Sequence, residues 1–343
     1  MKVCMVSVRN DEFSVVQRQG MDTNDVNLAY LLGATEHYWC GERDLNKFDQ
    51  YDMIFFLMSK IKESYENKWM ELVSLIRDKY GDKKIILIHQ EAEMRWCMYR
   101  PWKDQLELFE AIKKADMFMC HNTSDIGFFK FLCPETKVIC APTPMPIEKI
   151  KKYRIDPKVK RNNEQLEIIF GTSFDHRSNG LLGYAVAMEL KRKYGKRIKI
   201  TQYHRTQWND NRNEEFMKFF GYDFEVLPHM SWLSFVERLS QSYISMNLMS
   251  LAAAGRDAIV FSALGIPHIS NEVLEVMNYD DVSKDNIEDL RIVFKICELL
   301  IEGKPERYIE TIEDGYKNVE KHSFQNVKKV LNERFKFALG IDI

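Results

Sequence analysis

Long apolar runs are absent from this sequence of 343 residues, and none approaches the roughly 18 to 20 residues of a membrane-spanning helix. The amino-terminal stretch MKVCMVSVRNDEF carries polar and charged groups where a secretory signal needs an apolar core. An excess of one charge is also lacking, because 49 basic and 51 acidic residues leave a net charge of −2. We therefore expect a cytoplasmic protein with no transmembrane segment, and not one that simply coats nucleic acid.

Recognisable cysteine motifs are lacking as well. The sequence has seven cysteines, and no two of them have the CxxC spacing of a zinc ribbon or a redox motif. Most lie in apolar strings such as KVCMVSV and KVICAP, where a thiol behaves as a small core residue. The odd number and the scattered spacing exclude a disulfide framework and predict reduced thiols, with no metal site.

The apolar residues fall in short runs that alternate with helix-period segments. Such runs recur at Met53–Met58, Ile85–Ile88 and Met117–Cys120, with helical periodicity over Lys68–Lys79 and Asp104–Ala115 between them. This alternation is typical of a parallel sheet that is buried on both faces, and it resumes in the second half of the chain. The length and pattern predict an α/β fold of two Rossmann-like, doubly wound domains that face a central cleft.

The best linker candidate lies near the middle of the chain. The stretch Ala141–Pro146 has three prolines in six residues, and a polar, strongly basic segment follows it. We therefore predict one domain over residues 1–148, a linker over 149–165 and a second domain over 166–325, with a last helix over 326–343.

A strand–loop–helix segment at the start of the second domain provides one set of candidate binding residues. They are Gly171, Thr172, Ser173, Arg177, Asn179 and Gly180. Backbone N–H groups at the helix start, with an arginine beside them, favour a pyrophosphate site. The alternative is an ordinary turn before an amphipathic helix.

A second set follows a later strand, where a loop of small residues ends at Gly255 and a helix begins with Arg256 and Asp257. Small residues let phosphates approach the backbone, and a helix start supplies N–H donors. Arg256 is suited to clamp a phosphate, and Asp257 to accept from ribose hydroxyls. The alternative is a carboxylate that only stabilises the helix dipole.

The order of these two segments resembles the retaining GT-B glycosyltransferases, the family that includes bacterial glycan synthases and phage DNA α-glucosyltransferases. Its carboxy-terminal domain opens with a "G…R…KG" loop, which here reads GTSFDHRSNG, and continues to an "EA-x-A-x-G-x-P" element, which here ends FSALGIP. The resemblance implies a hexosyltransferase whose second domain holds the donor. It also implies that the last helix returns to the first domain.

The chain departs from the family pattern at three positions. Asn179 replaces the usual lysine, and Val260 and Ala252 stand where the family has glutamates. Asp257 lies one helical turn before Val260, on the same face. We therefore hypothesise that Asp257 and Arg256 together take over part of the contact with the nucleotide sugar.

Candidate acceptor-side residues follow a central strand of the first domain. The strand Ile85–Ile88 leads directly into His89 and Glu91, and the family places a histidine- or aspartate-bearing segment at this point. Glu91 would then be the acidic group near the acceptor hydroxyl, with His89 beside it. The alternative is a satisfied strand-end histidine and an exposed acid.

The resemblance thus implies catalytic roles for Glu91, His89, Arg177 and Asp257. The donor would be a nucleotide-diphosphate sugar, with UDP favoured and GDP also allowed, and neither a metal nor a tightly bound cofactor is expected. The acceptor stays open among a glycan, a small molecule and a hydroxymethylated DNA base, and an inert nucleotide-sugar-binding module is the alternative of another class. Basic runs at Lys151–Arg161 and Lys191–Lys199 are candidates for contact with DNA or a membrane surface.

Overall fold

A computed structural model describes residues 1–9, 11–18, 20, 24–58, 66–90, 101–120, 123, 125–171, 180–203, 215, 218–219, 221, 224–228, 230–248, 256–270 and 289–343. The chain divides into two compact units. Unit 1 comprises Met1–Pro146 together with Lys321–Ile343, and unit 2 comprises Ile147–Glu320. None of the helices in the described part combines the length and the apolar character that crossing a bilayer requires.

Unit 1 is built on one sheet. Its strands are β1 (Val3–Ser7), β2 (Phe13–Ser14), β3 (Ala34–Trp39), β4 (Met53–Met58), β5 (Ile85–Gln90), β6 (Met117–Cys120) and β7 (Lys137–Cys140). The spatial order is β2-β3-β1-β4-β5-β6-β7. Within the described residues, β2 pairs antiparallel to β3 and the other neighbours are parallel.

The helices that precede residue 147 connect these strands. They are α1 (Val15–Arg18), α2 (Asn24–Leu31), α3 (Glu66–Tyr80), α4 (Trp102–Lys113) and α5 (Asp125–Leu132). The predicted helices over Lys68–Lys79 and Asp104–Ala115 correspond to α3 and α4, so the expected alternation of strand and helix is confirmed.

Unit 2 repeats the arrangement with a smaller, fully parallel sheet. Its strands are β8 (Leu166–Gly171), β9 (Ile198–Tyr203), β10 (Glu225–Leu227), β11 (Ile244–Asn247) and β12 (His268–Ser270), in the order β10-β9-β8-β11-β12. Its helices are α6 (Ile147–Ile150), α7 (Pro157–Arg161), α8 (Gly180–Tyr194), α9 (Trp232–Leu239), α10 (Arg256–Ala263), α11 (Leu290–Glu302) and α12 (Pro305–Val319). The α/β fold class with two doubly wound, Rossmann-like units is confirmed.

Helix α13 (Phe324–Leu339) belongs to unit 1 and explains why the central strands have continuous apolar runs. In β4, Ile54 and Phe56 pack in one core with Trp69 of α3. Phe55, on the opposite face, packs in a second core with Leu331 of α13. Because helices cover both faces, every side chain of the strand must be apolar.

The segment 149–165, for which the proline and charge content predicted a linker, includes the end of helix α6 and the whole of helix α7, and it lies in unit 2. Helix α7 begins at Pro157, and the Asp156 carboxylate caps it by accepting from the Lys158 backbone N–H (2.8 Å). A proline at the first helical position is favourable because its missing N–H has no partner there in any case. The polar sequence therefore encodes a capped short helix.

Candidate functional site

The carboxyl edge of the unit 2 sheet carries a cluster of polar residues. Gly171 ends β8, Tyr203 ends β9 and Asn247 ends β11, while Arg256 and Asp257 begin helix α10. Because the strands are parallel, their last residues lie along one edge, and the register pairs Gly171 directly with Tyr203. Ligands of open α/β sheets bind at this edge.

The Asp257 carboxylate holds the cluster together. Its Oδ2 accepts a hydrogen bond from the Tyr203 hydroxyl (2.9 Å) and another from the Asn247 side-chain Nδ2 (3.0 Å). Asp257 is only 7% exposed, so these bonds offset much of the cost of desolvating the carboxylate. The ends of strands β9 and β11 thus both donate to one carboxylate oxygen at the start of helix α10.

The orientation of the Asn247 carboxamide follows from this contact. A carboxylate only accepts hydrogen bonds, so the Asn247 NH₂ group must face Asp257 and the Oδ1 atom must point elsewhere. Asn247 is 92% buried, and its Oδ1 finds no hydrogen-bond partner among the residues that the structure describes. An orphaned buried acceptor costs about 1 to 3 kcal/mol, which a bound N–H or O–H donor would recover.

Gly171 is required by the same cluster. A Cβ at this position would overlap the hydroxyl and the ring of Tyr203, so only glycine lets the tyrosine cross the strand end and reach Asp257. Gly180 is the first residue of α8. The other predicted donor residues of unit 2, Thr172, Ser173, Arg177, Asn179 and Gly255, lie outside the described residues.

Sequence reasoning identified Gly171, Arg256 and Asp257 but missed Tyr203 and Asn247. Each missed residue is a polar side chain at the carboxyl end of an apolar strand, which is the signal that could have found it. Arg256 is half-buried as the first residue of α10, and the following residues of that helix are all buried. This burial holds Asp257 in a fixed orientation.

The candidate acceptor residue of unit 1 lies at the corresponding edge of its own sheet. His89, near the end of β5, is 2% exposed, and its Nδ1 lies 2.8 Å from the backbone oxygen of Met119 on β6. A carbonyl only accepts, so Nδ1 carries the hydrogen and a neutral His89 ring has its acceptor at Nε2. Phe55 stacks on the ring at a centroid distance of 6.2 Å. Glu91 falls outside the described residues.

Both basic runs are engaged inside unit 2. In Lys191–Lys199, Lys193 pairs with Glu298 and Lys199 with Glu225, each at 2.5 Å. The run Lys151–Arg161 makes similar contacts. Lys151 pairs with Glu148 (2.7 Å), and Arg161 donates to the Gly303 carbonyl (2.5 Å). Much of the positive charge in these runs therefore stabilises the unit itself.

Solved structures that resemble the chain are glycosyltransferases. An α-glucosyltransferase in complex with UDP and a 13-mer DNA containing an HMU base matches 98% of this chain and 99% of its own, with a TM-score of 0.66 and 13% identity. An E. coli trehalose-6-phosphate structure bound with UDP-2-fluoro glucose matches 87% and 76% of the two chains, with a TM-score of 0.65 and 12% identity. A UDP-forming α,α-trehalose-phosphate synthase from Burkholderia xenovorans matches 83% and 74%, with a TM-score of 0.63 and 11% identity.

These matches show that the chain has the two-domain GT-B fold of glycosyltransferases. No protein-family model matches the sequence, and no curated protein matches it.

Proposed function

We propose that this protein is a glycosyltransferase that transfers a hexose from a UDP-sugar to a hydroxyl acceptor, with unit 2 as the donor-binding unit. The observation that carries the proposal is the buried cluster of Tyr203, Asn247 and Asp257 at the carboxyl edge of the unit 2 sheet. This is the edge at which Rossmann-like sheets bind nucleotides. The solved structures that share the fold include complexes with UDP and with a UDP-sugar analogue.

Each residue of the cluster has a separate role in this proposal. The first N–H groups of α10 and the Arg256 guanidinium bind the diphosphate, where negative charge develops as the glycosidic bond to the sugar breaks. Arg177, which lies outside the described residues, is proposed as a second cation for the diphosphate. Asn247 Oδ1 accepts from a hydroxyl or N–H of the donor, and the bond from Asn247 Nδ2 to Asp257 fixes the orientation of the carboxamide.

The acceptor is the part of the reaction on which the matched structures differ. The DNA α-glucosyltransferase is covered almost completely in both directions, whereas about a quarter of each trehalose-phosphate structure has no counterpart here. This size agreement favours a hydroxymethylated DNA base as the acceptor. In this proposal His89 orients or deprotonates the acceptor hydroxyl, and Glu91, outside the described residues, is its predicted acidic partner.

The test is a measurement of UDP release from UDP-glucose in the presence of different acceptors. Hydroxymethylated duplex DNA, the same duplex without hydroxymethyl groups, and a panel of sugars and sugar phosphates are compared. UDP release that depends on the hydroxymethyl group supports the proposal, and NMR of the product anomer then reports retention or inversion. Donor binding without release for any acceptor would instead identify an inert nucleotide-sugar-binding module.

A further inference from the structure

Two cysteines of unit 1 occupy directly paired positions on neighbouring strands. Cys120 is the last residue of β6 and Cys140 is the last residue of β7, and the parallel register sets one opposite the other. Paired side chains of parallel strands lie on the same face of a sheet. Neighbouring strands are about 4.8 Å apart, which falls inside the Cα separation of about 4.4 to 6.8 Å that a disulfide spans.

The two thiols already contact each other. A hydrogen bond between them lowers the pKa of Cys140, and the positive charge of Arg334 on α13 lowers it further against the effect of burial. The same hydrogen bond and burial raise the pKa of Cys120, so Cys140 is the more acidic thiol of the pair. Cys120 Sγ also lies 3.3 Å from the Ile139 carbonyl oxygen, which holds the thiol in place.

Exposure separates Cys140 from the other thiols. Among the described cysteines Cys140 alone is partly exposed, and the rest are buried. Burial raises the pKa of the thiols of Cys4, Cys40, Cys133 and Cys297, which makes them poor nucleophiles. Cys140 therefore combines access, a lowered pKa and a second thiol in contact, which is the arrangement of an attacking and a resolving cysteine.

We propose that Cys120 and Cys140 form a redox-active dithiol that closes to an intrachain disulfide by exchange with a small-molecule disulfide, such as oxidised glutathione. The Cys140 thiolate attacks one sulfur of the oxidant, forms a mixed disulfide and releases one glutathione thiolate. Cys120 then loses its proton and attacks Cys140 Sγ, releasing the second thiolate. The pair gives up two protons and two electrons, and the oxidant is reduced to two thiols.

This site does not depend on the proposed transfer reaction, and its test needs no substrate. The reduced, full-length protein is incubated in mixtures of reduced and oxidised glutathione, quenched with acid and alkylated, and its peptides are mapped by mass spectrometry. The expected product is a cross-linked peptide pair containing Cys120 and Cys140, with the loss of two hydrogens from the intact mass.

Single substitutions separate the two roles. Cys120→Ala is expected to trap a glutathione adduct on Cys140, because the resolving thiol is missing. Cys140→Ala is expected to lose both the cross-link and any adduct on Cys120, and the matched control Cys133→Ala is expected to form the cross-link as the wild type does. Unfolding midpoints verify that each variant is folded.

The peptide map of the oxidised wild-type protein tests the proposal even if a variant fails to fold. Absence of the Cys120–Cys140 cross-link under the most oxidising mixture would overturn the proposal. So would equal adduct formation on Cys120 and Cys140 in the folded wild type, because the proposal requires attack from Cys140.

Discussion

The ring of Tyr203 lies across the Cα of Gly171, its directly paired neighbour on the next strand of unit 2. This close approach carries the tyrosine hydroxyl to the Asp257 carboxylate, which also accepts from Asn247. A glycine at the end of one strand therefore determines where a carboxylate at the start of helix α10 is held.

Gly171→Ala is expected to destabilise unit 2 by about 1 to 3 kcal/mol, because the added methyl group overlaps Tyr203 in a packed region. The matched control is Gly183→Ala in α8, whose Cβ would meet Phe170 Cβ at an ordinary 3.4 Å and which gains helix propensity. Denaturant unfolding measures both. A Gly171→Ala variant as stable as the wild type would contradict the packing described.

Asp257→Ala is expected to lower the free energy of unfolding by more than the loss of one hydrogen bond would. It leaves the Tyr203 hydroxyl and the Asn247 amide buried without their acceptor, at about 1 to 3 kcal/mol for each group. When Tyr203→Phe is already present, Asp257→Ala should destabilise the protein less, because the Tyr203 hydroxyl is no longer there to lose its acceptor. Tyr243→Phe removes a hydroxyl that donates to the Leu300 carbonyl instead, and it should leave the effect of Asp257→Ala unchanged. A double-mutant cycle with no coupling between Tyr203 and Asp257 would be the contrary result.

The acid stability of unit 2 is expected to depend on Glu167. Burial alone would raise the pKa of this carboxyl, but hydrogen bonds from Arg238 and Thr201 outweigh burial and lower the pKa to about 2. A depressed carboxyl pKa stabilises the fold above the ordinary value of 4.5, and that contribution is lost as the pH falls from 4.5 towards 2. It amounts to roughly 3 kcal/mol.

Glu167→Gln should therefore flatten the dependence of the unfolding free energy on pH in this window. Glu225→Gln is the matched control, because Glu225 also faces Arg238 and Lys199 but its side chain is 41% exposed. If the unfolding free energy of Glu167→Gln fell between pH 4.5 and 2 as steeply as that of the wild type, the ion pair of Glu167 with Arg238 would not be the source of the acid sensitivity.

His89→Gln is expected to lower the rate of sugar transfer by roughly a hundredfold, the lower end of what a positioned acid–base group contributes. UDP affinity should be unaffected, because the proposed donor site belongs to unit 2. His322→Gln is the control, since His322 is also a buried histidine of unit 1 whose Nδ1 contacts a carbonyl, that of Thr143. Equal transfer rates in both variants would remove His89 from the acceptor side.

Much of the fold was predictable because the central strands are covered on both faces and therefore consist mostly of apolar residues. Strand β3 was missed for the opposite reason. It lies between β1 and the short β2, and its sequence ATEHYW includes the exposed residues Thr35 and Glu36. Helix α5, DIGFFKFL, was missed because its run of apolar residues is short and lacks a clear helical period.

Only those site residues that belong to a local sequence pattern could be predicted. Asp257 and Arg256 are visible in the sequence because a helix start follows a loop of small residues. The partnership of Asp257 with Tyr203 joins a strand end and a helix start that are 54 residues apart in the sequence, and no local pattern reports it. The contact between Tyr203 and Asp257 is set by tertiary structure and not by local sequence propensity.

The most direct test of the account is a UDP titration of the unfolding transition, comparing the wild type with Arg256→Ala. UDP at 100 times its dissociation constant should stabilise the wild type by about 2.7 kcal/mol, and this shift should be largely lost in the variant. Arg291→Ala, which changes an exposed arginine at the start of α11, should respond as the wild type does. No stabilisation of the wild type by UDP, or equal stabilisation of wild type and Arg256→Ala, would contradict the donor site at the start of α10.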